Sequence, residues 1–260
     1  DLLKKYKIDA VMHFAGFIAV GESVKNPKKY FDNNIRKTLS FLEVLEESSV
    51  KNIVFSSSAG VYGTPKEEVV KEDSSRNPIS PYGMTKSFTE DVLESFRVAY
   101  GMNYVCLRYF NASGAAYGVG EKHDPETHLI PLVLDVALGK RENISIFGTD
   151  YETKDGTCIR DYIHVLDLAD AHILSLKYLE RGKSGCFNLG SGNGFSVKEI
   201  IEECRRVTGH KIPVVEVARR AGDPAKLIAS SSKIRTELGW FAKYSMKEII
   251  ESAWEWHKKK

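Results

Sequence analysis

The sequence has no long apolar run, almost no net charge and no glycine-rich turn near its start. No stretch approaches the 18 or so apolar residues of a membrane span, and the first residues do not form a signal peptide. Its 37 basic and 35 acidic side chains leave a formal net charge of +2, so neither a nucleic acid nor an anionic membrane is expected as a partner. With 42% hydrophobic and 28% charged residues, the composition is that of a soluble globular protein.

Cysteine pairing and histidine clustering are also missing. The four cysteines lie far apart and include no Cys-x-x-Cys pair, so we expect reduced thiols in a cytoplasmic protein rather than a disulfide framework or a zinc site. Most of the histidines show no ligand-like clustering, and we expect no metal site. The histidines without such clustering are His123, His164, His172, His210 and His257.

The order of apolar segments predicts an α/β fold with a doubly wound, parallel, Rossmann-like sheet. Long helices are predicted over residues 27–47 and after Ser80, although Asn33 and Asn34 interrupt the first pattern and are interpreted as solvated amides. Strands that alternate with long helices favour a parallel sheet. The predicted buried strands cover residues 8–14, 52–55 and 104–109.

The pattern of predicted strands and helices changes near residue 112. Shorter strands and helices mix after this point, so we predict a partial dinucleotide-binding domain over residues 1–112 and a smaller mixed α/β lobe over residues 113–260. A dinucleotide-binding sheet usually opens with a strand and a Gly-x-Gly-x-x-Gly turn, which the first 60 residues lack. The glycines of residues 190–194 have the wrong spacing and predict a tight turn. We therefore expect an N-terminally incomplete sheet.

A tyrosine and a lysine stand four residues apart at the start of the second long helix. Ser80 can cap this helix and Pro81 suits its first turn, so Tyr82 and Lys86 share one face. An ammonium about 4–6 Å away favours the phenolate, which would make the pair a proton-transfer group for a sugar or alcohol hydroxyl. An apolar stripe is expected to bury the same helix. Its members are Phe88, Val92, Leu93, Phe96 and Ala99.

The tyrosine–lysine spacing alone is weak, because Tyr62 and Lys66 share it inside a predicted turn. Motifs taken together in order, however, resemble the extended short-chain dehydrogenase/reductase family. Those downstream are similar to the members that epimerise UDP-sugars at C4. The motifs cover residues 13–16, 19–23, 56–59, 61–63, 80–86 and 108–111, then 146–148, 155–157, 160–165, 188–190 and 219–223.

The resemblance implies a chemistry and a set of site residues. A bound NAD takes a hydride from C4 of UDP-glucose or UDP-galactose and returns it to the other face of the 4-keto sugar. Tyr82 is then the base, Lys86 lowers its pKa and holds the nicotinamide ribose, and Ser58 hydrogen-bonds O4. Further cofactor contacts are implied for Phe14, Ala15, Gly16, Asn33, Ser56 and Phe110. Further substrate contacts, mainly with the UDP part, are implied for Asn111, His128, Leu129, Ser145, Phe147, Arg160, Arg220, Asp223 and Leu227.

Three positions depart from the family pattern. Ile18 replaces a lysine common near the cofactor phosphates, and His128 replaces an asparagine common at a substrate contact. Leu227 falls where the family has a tyrosine in enzymes that reject N-acetylated sugars and a cysteine in those that accept them. A preference for UDP-glucose over UDP-N-acetylglucosamine is therefore expected.

Several alternatives remain open at this point. A nucleotide-sugar 4,6-dehydratase would need an acid and a base just after Ser58, where Ala59 and Gly60 cannot move protons. An epimerase of UDP-N-acetylglucosamine or UDP-glucuronate fits the motifs, and so does an inactive UDP-sugar-binding fragment. The resemblance also implies a homodimer built on the helices around residues 29–47 and Tyr82.

Overall fold

The computed structural model describes residues 2–220 and 222–259, which form an α/β fold. The helices are α1 Leu2–Lys5, α2 Val20–Lys25, α3 Pro27–Tyr30, α4 Lys37–Glu46, α5 Pro81–Tyr100, α6 Leu129–Ala137, α7 Val165–Leu179, α8 Val197–Thr208, α9 Ser232–Leu238 and α10 Met246–His257. The strands are β1 Val11–His13, β2 Asn52–Ser58, β3 Val69–Val70, β4 Asn103–Tyr109, β5 Asn111–Ser113, β6 Ala115–Ala116, β7 Val119–Gly120, β8 Ile144–Phe147, β9 Ile159–His164, β10 Gly185–Leu189, β11 Gly194–Ser196, β12 Val214–Val217 and β13 Lys226–Ala229.

The first sheet is four-stranded and parallel, in the order β1-β2-β4-β10. One face packs Val54 and Val105 against α7, and the other packs Ile53 and Phe55 against α4 and α5. This arrangement confirms the predicted parallel α/β architecture. Strand β10 joins this sheet from beyond residue 112, and the division of the chain at that residue stays a prediction.

The second sheet has five strands and takes most of its residues from the later half of the chain. Its order is β11-β9-β13-β3, and β5 also pairs with β9. Because β5 follows β4 after a single residue, the two sheets are joined at the carboxyl end of β4. The second core lies between α6, α8 and α10. Among residues 2–220 and 222–259, we find no helix with the length and apolar character to cross a membrane.

The helix predicted over residues 27–47 is interrupted by a π-helical segment, Phe31–Arg36. Here the backbone bonds reach one residue further than in an α-helix, which is how an insertion is absorbed without ending the helix. Asn34 lies within this segment and is buried. Its amide accepts from the Phe17 N–H and donates to the Phe17 carbonyl, both at 2.9 Å. The interpretation of Asn34 as a solvated amide is therefore wrong.

The predicted apolar stripe of α5 is only partly correct. Leu93 is buried, but Phe88 is 45% exposed and Ala99 is also exposed. The buried face of the helix is instead largely polar. Its members are Tyr82, Gly83, Thr85, Lys86, Thr89, Glu90 and Leu93. Polar side chains can be buried here because groups on β2 and β4 hydrogen-bond to them: Ser57 and Arg108 donate to Glu90, and the Ser56 carbonyl accepts from Lys86.

Candidate active site

The candidate site lies where the strands of the first sheet end. Strand β2 ends in Ser56, Ser57 and Ser58, and β4 ends in Tyr109, which is directly opposite Ser58 in the register. In a parallel sheet all carboxyl ends meet at one edge, the usual place for ligands in such folds. The three serines belong to the strand itself, so their side chains alternate between the two faces of the sheet.

The start of α5 is held against the end of β2. The Ser80 hydroxyl accepts the backbone N–H of Gly83 at 3.1 Å, and Pro81 occupies the first turn. A β-carbon at Gly83 would lie 2.5 Å from the Gly60 carbonyl oxygen. The Gly60 N–H in turn donates to the Ser58 hydroxyl at 3.0 Å. Because glycine permits this close approach, the first turn of α5 lies beside Ser58.

Tyr82 and Lys86 lie one turn apart on the buried face of α5, as their spacing predicts. The ammonium of Lys86 donates to the Ser56 carbonyl at 2.7 Å. It lies 4.8 Å from the centre of the Phe55 ring and 5.8 Å from that of Tyr82. Ser58, Tyr82 and Lys86 are thus brought together at one edge of the sheet.

The electrostatics of this pair differ from the expectation that Lys86 lowers the pKa of Tyr82. Burial raises the pKa of the Tyr82 phenol, and a hydrogen bond from Ser58 opposes this only partly. Burial also lowers the pKa of the Lys86 ammonium to about 8. Desolvation disfavours both charged forms and is the largest cause of each shift. Without a ligand the phenol therefore keeps its proton.

A second polar chain runs behind Ser56. Its hydroxyl donates to the Tyr109 hydroxyl at 2.7 Å, and this oxygen lies 2.6 Å from His172 Nε2. His172 Nδ1 is 2.8 Å from the Leu168 carbonyl, which only accepts, so Nδ1 donates and Nε2 accepts from Tyr109. The Phe14 ring stands 4.8 Å from the His172 ring. Sequence reasoning missed His172, because no local motif marks a helix residue that meets the site only through the fold.

The residues implied as cofactor contacts fall in three places. Phe14 and Ala15 are exposed in the loop after β1, and Gly16 is half-buried beside Asn34. Asn33 donates to the Asn34 side chain at 3.1 Å. Of the remaining two, Ser56 lies near the end of β2 and Phe110 directly follows β4. All of these positions lie at or near the carboxyl edge of the first sheet.

Most residues implied as substrate contacts lie in the second half of the chain. Arg160 donates to the carbonyl of Pro224 at 2.8 Å and lies 3.4 Å from the Asp223 carboxylate. Arg220 stacks over the Phe147 ring at 3.8 Å. Ala221, which follows it in the same motif, lies outside the described residues.

Three further positions of this set lie on β5, β8 and β13. Asn111 begins β5 and donates to the Asp161 carbonyl at 2.7 Å, and Ser145 lies half-buried on β8. Leu227 pairs with Arg160 across β13 and β9 and packs, together with Phe110, against the apolar cluster of Ala59, Val61, Tyr62 and Val70.

His128 and Leu129 stand at the start of α6. The His128 imidazole is turned towards Glu121, to which its Nδ1 is bonded. The structure therefore brings Arg160 and Asp223 together, and Arg220 and Phe147, whereas His128 belongs to a separate cluster.

A saturated ion pair lies beneath the site. Glu90 accepts from Ser57 at 2.5 Å and from the Arg108 Nη2 at 2.7 Å. The Arg108 guanidinium also donates to the Tyr62 hydroxyl, which donates in turn to Asn188 at 2.6 Å. Tyr62, the second tyrosine with a lysine four residues later, is therefore a buried structural residue.

Comparisons with known proteins place the chain in a family. A family model described as GDP-mannose 4,6 dehydratase matches residues 1–253. The UDP-glucose 4-epimerase of Halalkalibacterium halodurans is 55% identical over 257 residues, which cover 97% of this chain and 77% of the relative. A crystal structure of a UDP-glucose 4-epimerase is 50% identical and superposes with a TM-score of 0.96 over 99% of this chain and 80% of its own.

One of the similar solved structures is a complex with ligands. The UDP-glucose 4-epimerase from Bifidobacterium longum, solved with NAD+ and UDP, is 42% identical, with a TM-score of 0.93 over 99% of this chain and 78% of its own. The similarity thus extends over nearly all of this chain, from the parallel sheet to the α10 helix. The chain belongs to the UDP-glucose 4-epimerase branch of the sugar-nucleotide epimerase and dehydratase family.

Proposed function

We propose that this chain interconverts UDP-glucose and UDP-galactose by NAD-dependent epimerisation at C4. The observation that carries the proposal is the convergence of Ser58, Tyr82 and Lys86 at the carboxyl edge of a parallel sheet, in a chain whose relatives are UDP-glucose 4-epimerases. When bound, NAD accepts a hydride from C4 of the sugar and returns it to the opposite face. The other steps are performed by the side chains.

The carboxyl edge of the first sheet fits a dinucleotide. Apolar side chains that ordinarily avoid water, those of Phe14, Phe17 and Ile18, are exposed after β1. Beside them the Lys86 ammonium is buried with a single accepting partner among the described residues. An apolar surface next to a buried cation suits a ring system with ribose hydroxyls. Together with Lys86, we assign cofactor binding to Phe14, Ala15, Gly16, Asn33, Ser56 and Phe110.

Proton transfer is assigned to Tyr82. Once cofactor and substrate are bound and the phenol has lost its own proton to solvent, the Tyr82 phenolate takes the proton from the sugar O4 as C4 is oxidised and returns it after the sugar has turned over. Lys86 supplies the positive charge that stabilises the phenolate, and this charge acts strongly because both side chains are buried. Ser58, whose hydroxyl lies with the Tyr82 ring beside Gly60, orients the O4 hydroxyl.

Binding of the UDP part is assigned to the residues on and after β5. The guanidinium groups of Arg160 and Arg220 suit a pyrophosphate, because each can donate two parallel hydrogen bonds. Hydrogen bonds and apolar contacts come from the remaining positions of this set. We accordingly propose that residues 1–112 form the cofactor-binding domain, which also carries Ser58, Tyr82 and Asn111, and that residues 113–260 supply the other contacts with the UDP-sugar. The positions proposed to supply hydrogen bonds and apolar contacts to the UDP part are Asn111, His128, Leu129, Ser145, Phe147, Asp223 and Leu227.

A dehydratase is the alternative that the family model raises, and the site favours epimerisation instead. Elimination of water needs an acid and a base near the C5 and C6 positions of the sugar. The two residues after Ser58 are Ala59, which is buried in an apolar cluster, and Gly60, which has no side chain. Neither moves a proton.

A homodimer in the cytoplasm is the finer part of the proposal. Apolar side chains are exposed on the outer faces of α4 and α5, including Val44, Met84, Phe88 and Val98. Burying such a surface between two copies is more favourable than leaving it in water. The free thiols of the four cysteines suit a reducing compartment.

The direct test supplies the purified protein with NAD and follows the sugar by NMR. Starting from either UDP-galactose or UDP-glucose, we expect the same final mixture of the two. UDP-N-acetylglucosamine and UDP-glucuronate are run beside them as the open alternatives. A 4-keto-6-deoxy product would show dehydration, and no conversion from either side would contradict the proposal.

A further inference from the structure

Four donor side chains converge in the loop before α6. Glu121 Oε1 accepts from His123 Nδ1 at 2.8 Å and is also bonded to His128 Nδ1. Glu126 Oε1 lies 3.9 Å from His123 Nδ1 and 3.6 Å from His128 Nδ1. The four donor atoms all lie within 4.8 Å of one another. The expectation that His123 takes part in no ligand-like cluster is therefore wrong.

The loop holds the two carboxylates in fixed positions. Glu126 Oε1 accepts the backbone N–H groups of Thr127 at 2.8 Å and His128 at 3.0 Å. The Glu121 carbonyl accepts from the indole of Trp256 at 2.9 Å, which ties this end of the loop to α10. The side chains of Glu121 and Glu126 are only 17% and 12% exposed, whereas those of the two histidines face the solvent. In this cluster the two carboxylates are thus largely buried and the two imidazoles lie at the solvent-facing side.

We propose that Glu121, His123, Glu126 and His128 form a binding site for a divalent transition metal ion of the zinc type. Zinc takes four ligands at about 2.0–2.2 Å, so neighbouring ligand atoms in a tetrahedron are roughly 3.3–3.6 Å apart. His123 Nδ1 lies 2.8 Å from Glu121 and 3.9 Å from Glu126, His128 Nδ1 lies 3.6 Å from Glu126, and all four donor atoms lie within 4.8 Å of one another, so modest side-chain movements would bring them to tetrahedral spacing. Two imidazole nitrogens also favour zinc, cobalt or nickel over magnesium or calcium, which prefer oxygen.

Ordinary ion pairing between protonated histidines and glutamates is the competing explanation, and the two differ in their response to protons. A metal ion takes the Nδ1 lone pairs, so it must displace the protons that now bridge to Glu121. Metal affinity should therefore fall as the pH is lowered from about 7.5 to about 5.5. Ion pairing alone binds no metal at any pH.

The test uses Co2+ as a spectroscopic probe on the purified, untagged protein and Zn2+ as the competitor. We expect one Co2+ per chain, a visible absorption band typical of low coordination number, and full displacement by Zn2+. His123→Ala and His128→Ala should each weaken binding at least about tenfold. Glu126→Gln should also weaken it, and it keeps the oxygen that accepts the two backbone N–H groups, so the loop fold is preserved.

His210→Ala is the matched control. His210 is likewise exposed, but its Nδ1 bonds to the Thr208 carbonyl, outside the cluster. This variant should bind Co2+ within about twofold of the parent, and far-ultraviolet circular dichroism should show all variants folded. Absence of a saturable band, or equal affinity in the His123→Ala/His128→Ala double variant, would overturn the proposal. Because the readout is metal binding, failure here leaves the epimerase proposal untouched.

Discussion

Helix α5 buries two charged side chains, and they differ in how completely hydrogen-bonding partners satisfy them. Lys86 and Glu90 stand one turn apart on α5 and are only 4% and 3% exposed. Glu90 is saturated, since it receives hydrogen bonds from Ser57 and from the Arg108 guanidinium through both Nε and Nη2. Lys86 has three N–H donors, and within the described part of the chain only the Ser56 carbonyl accepts one of them.

The difference separates a structural charge from one prepared for a ligand. A buried charge is tolerated when its partners replace the water it has lost, and Glu90 meets that condition within the fold. Lys86 meets it only in part, and the cost appears as a pKa of about 8. A sugar or ribose hydroxyl could satisfy the remaining donors. The predictions below test this contrast, beginning with the largest expected effect.

Replacement of Tyr82 by phenylalanine should remove most of the activity. Tyr82→Phe deletes only the phenol that exchanges a proton with O4, so kcat for UDP-galactose should fall about 10²–10⁴-fold. Tyr62→Phe is the matched control, because Tyr62 also precedes a lysine by four residues, but within the described residues its hydroxyl bonds to Arg108 and Asn188. Turnover by both variants is compared with NAD in excess.

The control variant sharpens the assignment. Tyr62→Phe should lower stability, because it leaves buried Arg108 and Asn188 groups without a partner, but it should keep kcat within a few-fold. If Tyr82→Phe keeps kcat within about threefold of the parent, Tyr82 is not the base.

The two charges should respond in opposite ways to neutralisation. Glu90→Gln leaves the buried Arg108 guanidinium without its carboxylate, which typically costs about 3–5 kcal/mol of unfolding free energy. Lys86→Met removes a charge that burial already disfavours, so stability should stay level or rise while turnover is lost. Urea unfolding gives both free energies. Equal losses in the two variants would mean that Lys86 is as well compensated as Glu90.

The contrast between these residues explains what the sequence could predict. The Tyr82–Lys86 face followed from helical spacing, and the parallel sheet followed from strands alternating with helices. The burial of the α5 face could not be deduced, because helical periodicity treats Phe88 as core and Glu90 as surface. In the structure Phe88 is exposed and Glu90 is buried. Glu90 can be buried because Arg108, 18 residues further along the chain on β4, donates hydrogen bonds to its carboxylate.

Contacts between distant segments account for the other misses. His172 meets Tyr109 across 63 residues, and the two-residue strand β3 gains its partner β13 from the far end of the chain. Neither carries a local pattern of its own. The burial of Asn34 could not be predicted because this residue lies in a π-helical segment, whose faces a regular 3.6-residue period does not describe.

The size of residue 227 should set the tolerance for N-acetylated sugars. Leu227 packs beside Phe110 against the cluster that contains Ala59, so a bulkier sugar must displace packed side chains. Overfilling typically costs about 1–3 kcal/mol, which makes UDP-N-acetylglucosamine a measurable but poorer substrate. Leu227→Cys should narrow the difference and Leu227→Tyr should widen it.

The measurement for residue 227 is kcat/KM for both substrates in the parent and the two variants. Ile228→Val, on the neighbouring position of β13, controls for general loosening of the strand. A substrate ratio that does not follow the size of residue 227 would mean that this side chain does not gate the sugar.

The smallest expected effect is a change in the pKa of His13 when the nearby charge of Lys86 is removed. This pKa reports directly on that charge. The pKa of His13 is lowered to about 4, mainly by burial and in smaller part by the Lys86 ammonium. Lys86→Met should therefore raise the pKa of His13, while burial still keeps it below the usual 6.5. NMR titration of the imidazole Cε1–H signals measures this shift, with His13→Asn to assign the signal and surface Lys247→Met as the control.

The His13 imidazole also links the charge of Lys86 to the pH dependence of the unfolding free energy. Because the folded state resists protonation of His13, the unfolded state binds more protons between about pH 6.5 and about pH 4, and unfolding free energy falls as the pH drops through this window. Lys86→Met should make that fall shallower. An unchanged His13 pKa in the variant would mean that Lys86 carries little charge in the folded protein, and the assigned role of its ammonium beside Tyr82 would then be lost.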